Sequence, residues 1–125
     1  QLATSQTSPV SATTATTANV ATLALTPGDW SVSGVIIFAP SAAPSALGGA
    51  VGTTSATLPT AAQVAAGTGN MTQYRLSFTS GQTQTLQTGI MRVNVSATTN
   101  VYLLAQGTFT GTCTATGYVS ARRVR

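Results

Sequence analysis

"TPGDWSVSGVIIFAP" (Thr26–Pro40) decides the fold class. In an extended chain Trp30, Val32, Gly34, Ile36 and Phe38 fall on one side, and Ser31, Ser33, Val35 and Ile37 on the other. Period two marks a strand with one buried face. "TPGD" ahead of it is turn chemistry: proline presets φ and glycine tolerates positive φ. Pro40 and Pro44 end the run, because proline gives no N–H to a sheet ladder.

Working outward, Val20, Leu23 and Leu25 predict a strand before this one. Ala50 to Leu58 predicts a strand of small residues. "TAAQVAAGTGN" (Thr60–Asn70) is the one stretch with helical propensity. Its glycines limit it to a turn or so, in a loop crossing the end of a sandwich. "MTQYRLSFTS" sets Tyr74, Leu76 and Phe78 against Gln73, Arg75 and Ser77. "GQTQTLQTG" (Gly81–Gly89) reads as a polar connection carrying Leu86. Next, Met91, Val93 and Val95 alternate with Arg92, Asn94 and Ser96. "TTNVYLLAQGTFTG" and "TCTATGYVSARRV" complete about seven or eight strands, spaced as in a sandwich or barrel. Varied strand lengths and some long connections favour an all-β, antiparallel, jelly-roll-like β-sandwich over residues 19–125. Residues 1–18, a low-complexity Thr/Ser/Ala run with Pro9, are expected to be an extended arm or linker.

Composition narrows the function classes. Charged residues are 5% of the chain, against about 25% in an ordinary soluble domain. Threonine supplies about a fifth of it. Hydroxyl and amide surfaces stay wet independently of pH and salt, which suits an exposed particle. Charge is also a common guard on sheet edges, so edges without it call for cover by neighbouring subunits. A chain of 125 residues makes one domain with a moderate core, which again favours oligomerisation. The start lacks the basic and apolar parts of a signal peptide and an initiator methionine, so a processed chain or part of a longer product is expected. No apolar run reaches membrane-spanning length, and membrane insertion is not expected.

The inventory for catalysis is thin. Asp29 is the one acid and there is no histidine or lysine, so paired carboxylates, a Ser-His-Asp triad and a Walker loop all lack members. Neither a cofactor nor a metal site is expected. Cys113 has no cysteine partner and sits in an apparent strand, which predicts a buried, inert thiol. "GGAVG" (Gly48–Gly52) reads as a bend or strand edge rather than a phosphate loop. The sequons at Asn70 and Asn94 are explained by chance among so many Thr and Ser residues.

Asp29 and Trp30 carry two readings. One is a turn residue followed by a core aromatic; the other is a sugar-binding pair, and burial statistics favour the core. Arg75 and Arg92 lie on the polar sides of their strands, where a solvated face competes with a subunit contact. Net charge +4 and pI about 10.3 raise nucleic-acid binding. Five arginines without a binding motif make too thin a footprint for it.

The closing "GYVSARRVR" (Gly117–Arg125) holds three of the five arginines. Alternation puts Val119 and Ala121 toward a core and Tyr118 and Arg122 outward, a strand rather than a free basic tail. Arg122 and Arg123 then leave on opposite faces, a poor design for one nucleic-acid patch. Tyr118, Arg122, Arg123 and Arg125, with Arg75 and Arg92, are the expected subunit-contact residues.

"LTPGDWSVSGVIIF", "TTNVYLLAQGTF" and the terminal "GYVSARRVR", in that order, resemble small β-sandwich modules in structural proteins of tailed bacteriophages, such as head-fibre, spike and tail-fibre domains. The likeness covers roughly Leu23 to Arg125. It implies a virion surface component, jelly-roll-like and trimeric, with the N-terminal arm meeting capsid or other virion proteins. The arm is shorter than a fibre shaft, which favours a compact spike, a decoration protein or the terminal domain of something longer. A glycan- or receptor-binding tip, with a host surface glycan as partner, is the alternative.

Overall fold

A computed structural model of the chain describes residues 2–11, 16–42, 44–66, 70–74 and 83–124; for 2–11, 64, 66 and 70–74 it is the backbone that is described. Nine strands and one short helix follow in order: β1 (Leu2–Ser11), β2 (Ala18–Leu25), β3 (Gly28–Pro40), β4 (Ala46–Gly52), α1 (Ala61–Ala66), β5 (Asn70–Tyr74), β6 (Gln84–Gln87), β7 (Met91–Val95), β8 (Thr99–Thr108) and β9 (Cys113–Arg123). They form two antiparallel sheets packed face to face. The first, sheet A, runs β1-β9-β3-β6, with β7 also on β3; the second, sheet B, runs β2-β8-β4-β5. The pairs β1·β9, β2·β8, β3·β6/β7 and β4·β5 nest like one long hairpin rolled up, so that successive pairs alternate between sheets. That winding is a jelly roll.

β3 organises sheet A. Trp30, Val32, Ile36 and Phe38 point inward and are almost fully buried. From β9, Cys113, Ala115, Val119 and Ala121 join them; from sheet B come Leu23, Leu25, Leu47, Val51, Val101 and Leu103. Close approach of the sheets depends on glycines facing bulk. Leu103 of β8 occupies the hollow over Gly34 and Gly117, and Ile36 of β3 occupies the hollow over Gly49. A β-carbon on any of the three would intrude on these side chains.

Several expected boundaries move. The segment expected as an arm is extended, but Leu2–Ser11 lies along β9, with Leu2 opposite Ala121 and Ser11 opposite Thr114. The ladder slips between Gln6 and Val10, and Pro9, which has no N–H to give, lies within that slip. The small-residue strand is Ala46–Gly52 rather than Ala50–Leu58, and it is buried along its whole length. "GGAVG" is therefore neither a bend nor an edge: β4 pairs with β8 on one side and β5 on the other. The polar connection around Leu86 contains β6, which takes its ladder from Val35–Phe38 of β3. α1 starts at a capping box, in which the Gln63 N–H bonds Thr60 Oγ1 (3.2 Å) and the Thr60 N–H bonds Gln63 Oε1 (2.8 Å). Leu76 and Phe78, expected to share one side of a strand with Tyr74, lie outside the described residues.

β6 and β7 are one strand interrupted by a bulge. Gln87 pairs with Val35 and Met91 with Val32, so three residues of one strand face two of the other. Thr88 closes the gap: its N–H bonds the Gly34 carbonyl (2.9 Å), and its hydroxyl accepts the Gly34 N–H (2.8 Å). The bulge turns Ile90 out, 66% exposed, at the edge of sheet A.

Candidate functional site

One end of the sandwich collects the side chains that sequence alone singled out. The turn Thr26–Gly28 leads into β3, and Gly28 has φ +148°, a conformation side chains disfavour. Trp30 follows, 3% exposed, its indole N–H bonded to the Thr26 carbonyl (2.9 Å). Register places Arg123 beside Trp30 across the β3–β9 ladder. Its guanidinium lies 4.8 Å from the ring centroid and bonds Thr26 Oγ1 (2.9 Å). A β-carbon at Gly28 would come within 2.8 Å of Arg123 Nη1, so the turn glycine also makes room for this lid. Trp30 thus seals the end of the core beneath an arginine, and its ring face is covered to any sugar.

Asp29 points the other way, to the outer side of sheet A, and is nonetheless 7% exposed. Arg92 covers it with a two-pronged contact, Nε to Oδ1 at 3.2 Å and Nη2 to Oδ2 at 2.6 Å. The hydrogen bond to Asp29, and after it the carboxylate's charge, hold the Arg92 guanidinium above its ordinary pKa. The Asp29 carbonyl also accepts the Val124 N–H (2.7 Å), which extends the β9 pairing one residue past its end.

On the same outer side Ser31 stands between two arginines. It pairs with Arg122 on β9 and with Arg92 on β7. Neighbouring strands are about 4.8 Å apart, so the two arginine Cα atoms are about 10 Å apart across the serine. Among the described residues no hydrogen bond or ion pair engages the Arg122 guanidinium. Two residues along, Ser33 pairs with Ser120; two further, Val35 pairs with Tyr118, which is 44% exposed.

The expected contact residues therefore divide. Arg92 and Arg123 hold intrachain partners, Asp29 and Trp30, while Arg122 and Tyr118 face solvent; Arg75 and Arg125 lie outside the described residues. Sequence reasoning missed Ser31, Ser33 and Ser120, although the odd positions of β3 were the signal for the first two. The chemistry on offer is hydrogen-bond donation to an anion, an aromatic face and hydroxyls. Cys113 lies elsewhere, 1% exposed, and burial pushes its thiol above the ordinary value. Among the described residues no group of His, Cys, Asp and Glu could hold a metal. A cleft on sheet B lined by Gly52, Thr53, Thr57 and Pro59 has about 10 Å³, room for one water. The sequence matches no family model and no curated protein.

Proposed function

We propose that this chain is a non-enzymatic structural or display module of a virion surface, a compact spike, head-fibre or decoration protein of a tailed phage that assembles as a homotrimer. The observation that carries the reading is the β6–β7 margin of sheet A, the outermost strand on that side among the described residues. It is a jelly-roll edge in a chain with almost no charge, and it presents Ile90, 66% exposed, on a bulge. Charge guards such edges in monomers; here Arg92 is held to Asp29 and a large apolar side chain takes the prominent position. Jelly rolls recur in capsid and lectin domains, an analogy of fold. Subunit contact through the β6–β7 edge covers Ile90 and leaves the broad face of sheet A open. Attachment to the particle falls to the N-terminal segment, whose residues 2–11 form the outermost strand at the opposite margin of sheet A. No nucleic acid, cofactor or membrane enters this reading.

Native mass measurement at micromolar concentration tests assembly. A trimer that Ile90→Asp reduces to monomers is the expected result, and a monodisperse monomer of the parent chain refutes it. Imaging of particles with and without the protein tests the location. The second reading, a glycan- or receptor-binding tip, is favoured by one observation, the half-exposed Tyr118 ring among serine hydroxyls on the outer side of sheet A.

A further inference from the structure

The two broad faces of the sandwich differ. On sheet B the outward residues Ala50 and Leu104 are fully buried, and the loop after β4 folds back so that Pro59 lies against Gly52. Sheet A has no such cover among the described residues. Ile37, Tyr118 and Val124 stand exposed on its outer side. Charge is uneven as well. Arg92, Arg122 and Arg123 share this end with the single Asp29, so three positive charges less one negative leave two positive. The unengaged one is Arg122.

A second copy cannot neutralise it with a side chain, because its one acidic side chain, Asp29, is already gripped by its own Arg92. The complementary partner is therefore a different, anionic molecule. Nucleic acid is read through rows of cations, and one unengaged arginine is too few. An extended acidic peptide would look for main-chain partners at a sheet edge, and Arg122 stands on the face of β9, whose backbone is paired on both sides. Tyr118 lies on the same face four residues before Arg122, roughly 13 Å along the strand, with Ser120 between them and Ser33 beside it. An aromatic face, hydroxyls and a terminal guanidinium over that length suit an oligosaccharide carrying a negative group.

We propose that the outer face of sheet A from Tyr118 to Arg122 binds an acidic glycan. A sugar ring stacks on Tyr118, Ser33 and Ser120 bond its hydroxyls, and Arg122 takes a carboxylate or sulfate in a two-pronged contact. This site stands whether or not the chain is a virion module and whatever its oligomeric state.

The full chain is tested on an array of sialylated, uronate-containing and sulfated oligosaccharides, each printed beside its desialylated, carboxyl-reduced or desulfated counterpart. Calorimetry then measures the strongest pair. The expected result is an acidic member bound roughly tenfold or more tighter than its neutral counterpart. Arg122→Gln erases that preference, and Tyr118→Ser weakens both members. Both side chains point out of the sheet, and circular dichroism checks that the variants fold. If Arg122→Gln does not fold, Arg122→Lys is used, which keeps the charge, loses the fork and lowers the preference. The proposal is overturned by equal binding of both members, by binding to none, or by a preference that survives Arg122→Gln. It is equally overturned if an acidic peptide or a single-stranded oligonucleotide binds tighter than any glycan with the same dependence on Arg122.

Discussion

Gly117→Ala is expected to lower the melting temperature by about 10 °C, and the geometry sets that magnitude. Gly117 pairs with Ile36 in the β3–β9 ladder, which runs unbroken from Trp30 to Pro40. A β-carbon built on Gly117 would fall against the carbonyl oxygen of Val35, closer than real β-carbons come, and 3.1 Å from Leu103 Cδ2. The obstacle is main chain, so no rotamer change relieves it. β3 cannot retreat either, because β6 holds Val35–Phe38 from the other side. Overpacking in a core costs about 1–3 kcal/mol, and a backbone obstacle belongs at the upper end. For a domain of this size each kcal/mol shifts the midpoint by roughly 3–5 °C, hence about 10 °C or a little more. Gly52→Ala is the matched control, since its β-carbon meets Pro59 Cγ at 3.4 Å, an ordinary contact. Thermal unfolding followed by circular dichroism reads both. Should Gly117→Ala melt within roughly 2 °C of the parent, or Gly52→Ala fall as far, the close approach of β9 to β3 is wrong.

Three further outcomes are expected. Thr88→Val keeps the shape of the bulge residue but leaves the buried Gly34 N–H without its hydroxyl acceptor, a loss of about 1–3 kcal/mol; a urea midpoint unchanged at constant slope refutes the bulge contact. Arg123→Ala uncovers the only tryptophan, so Trp30 emission shifts to the red and acrylamide quenches it more strongly; an unchanged spectrum means that Arg123 is no lid. Cys113 is expected to ignore a thiol reagent at pH 8 until denaturant is added. Its folded pKa lies above the unfolded one, so the unfolded thiol ionises first and stability falls as pH rises past the ordinary thiol value. Cys113→Ala removes that part of the slope, and an identical slope in the variant would count against the buried thiol.

How much of this was legible in the sequence depended on whether neighbours along the chain or across the sheets decided the outcome. β3 was legible because Trp30 and Val32 alternate with Ser31 and Ser33, and the β-branched and aromatic run from Val35 to Phe38 continues the strand. β4 was not, because both of its faces are covered, one by Ile36 and the other by the loop at Pro59, and glycine and alanine serve both. β6 holds one large apolar residue, Leu86, and four such residues are as much at home in a loop; the free flank of β3 makes them a strand. The Thr/Ser/Ala composition of Leu2–Ser11 concealed a strand whose ladder comes from β9. The fate of Arg92 was invisible for a related reason. Asp29 and Arg92 are 63 residues apart, and only the antiparallel register of β7 on β3 brings them together.

The same dependence on register sorts the arginines of "GYVSARRVR", and it joins the core to the surface. Side chains on a strand alternate, so a slip of β9 by one residue would exchange the faces of Arg122 and Arg123. In one direction Arg122 would then sit over Trp30 and in the other Val124; in both, Arg123 would stand on the outer face, and Val119 and Ala121 would leave the core. Gly117 opposes this slip. The hollow against the Val35 carbonyl admits only a residue without a β-carbon, and a one-residue slip would bring Thr116 or Tyr118 there. The glycine in the middle of the final strand therefore decides which arginine caps the tryptophan and which is left facing solvent. Which arginine carries the positive charge on the outer face of sheet A is in that sense a consequence of core packing near the middle of the sheet.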